Sequence, residues 1–322
     1  MIKLCLPYLE GISENPTITI TKITIGTINY CFKVTIDDTK VMVRIYGSEL
    51  SNVVSDRVRE FSLLLLANRF GYGPKVHLRF NNGYVVSFIE GNPLEIVDFR
   101  KKDMIALIAE KMAEWHNIKM PENLVPHLTM DIWQNIEKWI QLAQSFELDI
   151  SLFTKEIELL KNELQGEDQL CLTHNDLNSG NVIYNAGKEE GTVTFVDYEF
   201  SGLGNRYFDL ANHFCEWCGL DFDYSLFPTR EQQLEFLVAY LTNLSPTKEE
   251  PNQKELESLQ EIVNKYQLLS HYFWGLWAKI MAEKSNSNIF DYKKYSETRM
   301  KLYFQVKKEL LPETSTRDKT DL

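Results

Sequence analysis

The sequence predicts an α+β fold of two lobes, the first rich in strands and the second mainly helical. Three observations predict it. β-Branched residues with two-residue alternation crowd the first quarter of the chain, a Gly91-Asn92-Pro93 break follows, and helical apolar spacing dominates beyond it. The break divides the chain into a β-rich unit over residues 1–91 and a helical unit over residues 92–322.

The elements follow in order. Residues 17–25 alternate Thr and Ile, the pattern of a half-buried strand. Gly26-Thr27-Ile28-Asn29 interrupts it, residues 30–36 resume it, Asp37-Asp38-Thr39 turns, and residues 40–46 form a third strand of an antiparallel meander. Residues 53–70 read as a helix, with Phe61, Leu64 and Leu65 among charged positions, ended by Gly71 to Pro74. Residues 75–80 and 84–89 flank Asn81-Asn82-Gly83, a strong hairpin signal. Beyond the break, helices are expected over residues 101–117, 131–145, 151–165, 229–243, 254–284 and 290–310, with a polar tail over 312–322 expected to fray.

Composition removes some functions. The chain of 322 residues is 44% hydrophobic and 25% charged, ordinary for a globular protein. A formal net charge of −12 with no basic block argues against nucleic acid as a partner. No run approaches the ~18 apolar residues of a membrane span, and the opening MIKLCLPYLEG reads as neither a signal nor a transit peptide. Five sparse cysteines suggest the cytoplasm, and Cys215 and Cys218 read as incidental thiols because no second pair completes a metal set.

Residues 170–184 carry the chemistry. An apolar run leads into His174-Asn175-Asp176, Asn181 follows, a second apolar run begins at once, and a strand over 192–196 ends in Asp197. Phosphoryl transfer needs a group that orients or deprotonates the attacking hydroxyl and oxygen ligands for Mg²⁺ on a triphosphate. A loop between two short strands presents Asp176 and Asn181 on one side, and Asp197 reaches the same region. The spacing resembles that of protein kinases, with His-Asn-Asp for His-Arg-Asp and Asp-Tyr-Glu for Asp-Phe-Gly. Upstream, Gly26 and Asn29 bound a turn that can cover phosphates with backbone N–H groups. Arg44 lies on a strand where a kinase carries its phosphate-binding Lys, with Glu60 on the next helix as its partner. Ser87 and Ile89 precede the break, where backbone groups can read adenine.

The run DYEFSGLGNRYFDLANHFCEW over 197–217 resembles the signature of the choline/ethanolamine kinase family. VRIYG at 43–47, EKMAEWH at 110–116 and SHYFWGLW at 270–277 resemble the same family at corresponding places. The resemblance implies a protein-kinase-like fold with an ATP-binding first lobe, Mg-ATP as donor, and a small amino alcohol as acceptor. It implies phosphorylation of choline as the first step of phosphatidylcholine synthesis by the CDP-choline route, in the cytoplasm, by a homodimer. Asp176 then matches the catalytic Asp, Asn181 and Asp197 the metal-binding pair, and Arg44 the ATP-contacting Arg. Glu216, Trp274, Trp277 and Tyr295 match positions around the cationic head group, and Phe222 is a candidate for a further aromatic there. Trp274 and Trp277, three apart on one helix face, can offer indole faces to a quaternary ammonium.

The sequence departs from the family at Gly204, where Asn is usual, and at Asn178, where choline kinases commonly have Gln. CEW at 215–217 and WGLW at 274–277 resemble choline kinases, whereas CGLDFDY at 218–224 resembles ethanolamine kinases. Choline, ethanolamine as the main acceptor, and a catalytically silent ATP-binding pseudokinase are the competing expectations.

Overall fold

The computed structural model describes residues 7, 9, 11–23, 29–47, 56–164, 170–187, 191–284 and 290–311. The expectations for Gly26, for residues 24–25, for a helix start at 53–55, for residue 165 and for the 312–322 tail lie outside them.

Five antiparallel strands form the first sheet: β1 (Ile18–Ile23), β2 (Tyr30–Ile36), β3 (Thr39–Ile45), β4 (Val76–Phe80) and β5 (Gly83–Ser87), in the order β1-β2-β3-β5-β4. Alternation explains its buried face: Val34, Ile36, Val41, Val43 and Val85 cluster together. The β2–β3 turn is held by the Asp37 carboxylate, which accepts from the backbone N–H groups of Ser13 (3.0 Å) and Thr17 (2.9 Å).

Helix α1 (Arg57–Arg69) is capped by Asp56, its carboxylate accepting from Val58 N and Arg59 N. α1 joins the sheet to the rest of the molecule: Phe61, Leu64 and Leu66 share a core with Tyr84, Trp115, Leu172 and Tyr198.

The remainder is mostly helical, with α2 (Lys102–His116), α3 (Val125–Leu128), α4 (Ile132–Ser145), α5 (Ser151–Glu163), α6 (Arg206–Glu216), α7 (Arg230–Leu244), α8 (Gln253–Lys284) and α9 (Tyr292–Leu310). α8 runs through the main core beside α4, α6 and α9. Among the described residues no helix is long and apolar enough to cross a membrane. Two small sheets lie between: β7 (Cys171–Thr173) with β10 (Gly202–Gly204), and β6 (Asn92–Pro93) with β8 (Val182–Asn185) and β9 (Thr192–Phe195).

The long helices anticipated beyond Gly91 form within two residues of their expected ends. α6, β6 and β10 were not anticipated. β10 is Gly-Leu-Gly and β6 two residues long, so pairing rather than propensity makes them strands. α6 did carry a readable start, Asn205, whose side chain accepts from Tyr207 N and Phe208 N.

The Gly91 break is a fixed crossing. Asn92 and Pro93 pair with Tyr184 and Ile183, and Gly91 has φ +132°, where an added Cβ would stand 2.4 Å from the Tyr184 carbonyl oxygen. Gly91→Ala is therefore expected to destabilise the protein by about 1–3 kcal/mol, read as a lower urea midpoint at unchanged slope.

Candidate active site

The segment between β7 and β8 is held by buried polar groups on α6. The Asp209 carboxylate accepts from the backbone N–H groups of His174 and Asn175, each at 2.7 Å. Asn212 Nδ2 donates to the Asn175 carbonyl (3.0 Å), and His213 Nδ1 donates to the Leu177 carbonyl (2.9 Å). Burial pulls His213 down to about 4, so the ring is neutral and Nδ1 carries the proton. His174 is likewise lowered by burial, and its Nε2 donates to the Val196 carbonyl at 3.0 Å. Asn175 holds φ +64°, and its side chain donates to the Phe200 carbonyl. These bonds set the backbone on both sides of Asp176.

The Asp176 carboxylate accepts from Asn178 Nδ2 on Oδ1 and from Asn181 Nδ2 on Oδ2, each at 2.9 Å. Burial lifts its pKa well above the ordinary carboxylate range, Glu216 and Asp197 add to the rise, and the Asn178 amide opposes it. A carboxylate poised this way takes up a proton readily.

Asp197 follows β9 with φ +68°, and Val196 N donates to the Asn181 carbonyl, which ties the two segments together; both Asn181 and Asp197 line the same cavity. Arg44 lies behind Asp197, 3% exposed. Its guanidinium is 2.8 Å from Asp197 Oδ1, 3.1 Å from Glu199 Oε2 and 3.5 Å from Glu60 Oε1. The expected Arg44–Glu60 pair is thus present and belongs to a larger hub. Arg57 pairs with Glu60 at 2.8 Å, and Asn29 Nδ2 donates to Glu199 Oε2 at 3.1 Å. Burial, then Asp197, pushes Glu199 up to about 7, against the pull of Arg57 and Arg44.

One cavity of 730 Å³ takes in Asn29, Asp176, Asn178, Asn181, Asp197, Glu216, Trp274, Trp277 and Tyr295. Its polar end holds Asn29, Asn181 and Asp197. Its other end is aromatic: the Trp274 and Trp277 rings are 5.4 Å apart at 83°, and Phe200 packs 4.8 Å from Trp274. Trp274 Nε1 donates to Asn212 Oδ1 at 2.7 Å, which fixes the indole.

Other candidates lie back from the cavity. Phe222 packs against Tyr295, the ring centres 5.1 Å apart and the planes tilted by 59°. Ser87 Oγ pairs with His77 Nε2 at 2.8 Å, its N–H donates to Lys75, and Ile89 is half-buried beyond the end of β5. Arg44 and Glu60 act from the wall's interior.

Sequence reasoning did not assign Glu199, Phe200, Asp209, Asn212 or Phe290. Asp209 and Asn212 stood inside the 197–217 run, and a buried helix carrying polar side chains is the signal that could have found them. Glu199 and Phe200 stood beside Asp197 in the same run.

Asn181 and Asp197 offer one amide oxygen and one carboxylate, with Glu199 close by. That hard-oxygen set suits Mg²⁺ taking its other ligands from phosphate and water.

The family model described as "Choline/ethanolamine kinase" matches residues 20–304. "Probable ethanolamine kinase A" of Dictyostelium discoideum is 34% identical over 283 residues, covering 84% of this chain and 78% of its own. "Probable choline kinase 3" of Arabidopsis thaliana is 34% identical over 289 residues, covering 84% and 80%. An ethanolamine kinase structure from Plasmodium vivax superposes with a TM-score of 0.81 at 24% identity, over 91% of this chain and 84% of that one, which shows a shared protein-kinase-like fold.

Proposed function

The chain belongs to the choline/ethanolamine kinase family, ATP-dependent alcohol phosphotransferases, and from that premise we propose that it phosphorylates choline, giving phosphocholine and ADP, and accepts ethanolamine less well. The observation that carries the choice of acceptor is the aromatic end of the cavity, where Trp274, Trp277, Tyr295 and Phe290 line the wall beside the single carboxylate of Glu216.

Asp176 orients the choline hydroxyl and takes its proton as the oxygen attacks the γ-phosphorus and the bond to the β-phosphate oxygen breaks. Asn178 and Asn181 aim the carboxylate through their amide N–H groups. The cationic head group supplies positive charge near Glu216 and Asp176, which lowers Asp176 toward its ionised form once substrate is bound. Asn181 and Asp197 would hold Mg²⁺, which neutralises phosphate charge when bound. Arg44 fixes Asp197 and adds positive charge at the phosphate end. The strand-rich unit over 1–91, with Asn29 and the Ser87–Ile89 lead-in, takes the nucleotide, and the unit over 92–322 takes the acceptor. The same reading makes the protein a cytoplasmic homodimer at the entry to the CDP-choline route. Family membership supports it.

The test is kcat/KM for both alcohols by ADP release. A higher value for choline supports the proposal, a higher value for ethanolamine reverses the acceptor, and Mg-ATP binding with no turnover of either would replace it with a pseudokinase. Trp277→Ala is expected to raise KM for choline roughly ten- to thirtyfold, the equivalent of losing ~2 kcal/mol of desolvated cation–π attraction, with a smaller change in kcat.

A further inference from the structure

Behind the aromatic end lies a buried cation that the proposed chemistry does not use. Arg299 of α9 is 0% exposed. Its Nη2 donates to Glu216 Oε1 at 2.6 Å and to the Tyr295 hydroxyl at 2.9 Å, and Nε reaches the same hydroxyl at 3.2 Å. Nη1 donates to Ser270 Oγ (3.3 Å) and His271 Nδ1 (3.4 Å), a ring kept neutral by burial and by the guanidinium. The Phe222 ring lies 4.1 Å from the guanidinium carbon.

These contacts decide what the pocket offers a head group. A primary ammonium has three N–H donors and needs acceptors to replace the water it loses. A trimethylammonium has no N–H and needs ring faces with a modest negative field. Glu216 and Tyr295 both line the cavity and are acceptors at its aromatic end. Arg299 takes one oxygen of Glu216 and donates twice to the Tyr295 hydroxyl. The indole N–H of Trp274 is a donor and is already engaged. The buried guanidinium therefore withdraws acceptors from the site and balances the Glu216 charge while leaving the rings in place.

Resting on the choline reading above, we propose that Arg299 is the positioning residue that sets head-group selectivity, favouring a fully methylated ammonium over a primary one by its hold on Glu216 and Tyr295. A lysine there would keep the charge and lose the fork that spans both partners.

The test compares Arg299→Met, Arg299→Lys and the double variant Arg299→Met/Glu216→Gln with the starting enzyme. Choline and ethanolamine are measured by kcat/KM and by equilibrium binding through tryptophan fluorescence. In Arg299→Met the choline-to-ethanolamine ratio is expected to fall roughly tenfold or more, since a freed carboxylate oxygen gains a charged hydrogen bond to a primary ammonium only. The change should lie in KM, with Arg299→Lys shifting the ratio less. The double variant leaves no uncompensated charge and should fold where Arg299→Met does not; its ratio is expected to fall about threefold, because only neutral acceptors are freed. A folded Arg299→Met whose ratio stays within about twofold of the starting value overturns the proposal. If only the double variant folds, an unchanged ratio there does the same. A starting enzyme that turns over neither alcohol, or prefers ethanolamine, defeats the choline reading instead, and the shift in the binding ratio still decides the role of Arg299.

Discussion

Replacing Asp176 with alanine is expected to lower kcat about 10³-fold, with a thermal midpoint that is unchanged or higher. The two outcomes have one origin. The Asp176 carboxyl is half-buried near Glu216 and Asp197, and desolvation first, then those two carboxylates, push its pKa up. A charge held there is unfavourable in the empty site, so its removal relieves repulsion. On the proposed function, the compensating interactions are those with the cationic substrate and the transferred proton, neither of which exists in the free protein. Separation of activity from stability is the mark of a residue kept for function. ADP release with saturating choline gives kcat, and a melting curve gives the midpoint. A variant within tenfold of the starting kcat would remove Asp176 from the mechanism.

What could be read from the sequence follows from how each residue acts. Asp176, Asn181 and Asp197 were legible because their chemistry is their own and their order along the chain is the order of the strands that carry them. Trp274 and Trp277 were legible because one helix fixes their relation. Arg299 was not, since its meaning lies in Glu216, 83 positions away. Glu199 acts through Arg44 across 155 positions, and Asp209 through His174 across 35. Such pairings are made by packing, and no local period announces them. The same division runs through the fold. α2 and α8 are long, and at most one residue separates their expected and observed ends, whereas β6 and β10 exist only because a partner strand lies beside them.

Asp209→Asn is expected to destabilise the protein by about 3–5 kcal/mol and to reduce kcat roughly 10²-fold, though the residue touches no substrate. Its carboxylate is fully buried and accepts from three groups: the backbone N–H of His174, that of Asn175, and His116 Nε2 at 3.0 Å. An asparagine has one carbonyl oxygen, so at least one donor faces an amide N–H and loses its partner. The loop that aims Asp176 loosens with it, and a displacement of a fraction of an ångström is enough to misalign proton transfer. The pair with His116 also gives a pH signature. Burial opposes the charged His116 ring, but Cys171, Tyr240 and the Asp209 carboxylate outweigh it and hold its pKa well above the ordinary 6.5. Burial similarly opposes the charged Asp209, and the His116 hydrogen bond outweighs it, holding Asp209 below 3.8. The imidazole's contribution to stability is therefore full below pH 6.5 and lost as pH rises through the raised value. The carboxylate's contribution is full above pH 3.8 and lost as pH falls through the lowered one. The stability gap between the starting protein and His116→Gln should thus be widest between pH 3.8 and 6.5 and narrow as the solution turns alkaline. Urea unfolding of both proteins across that range measures the gap, and one that widens with rising pH would mean that His116 is neutral in the fold and that Asp209 holds the loop without a charged partner.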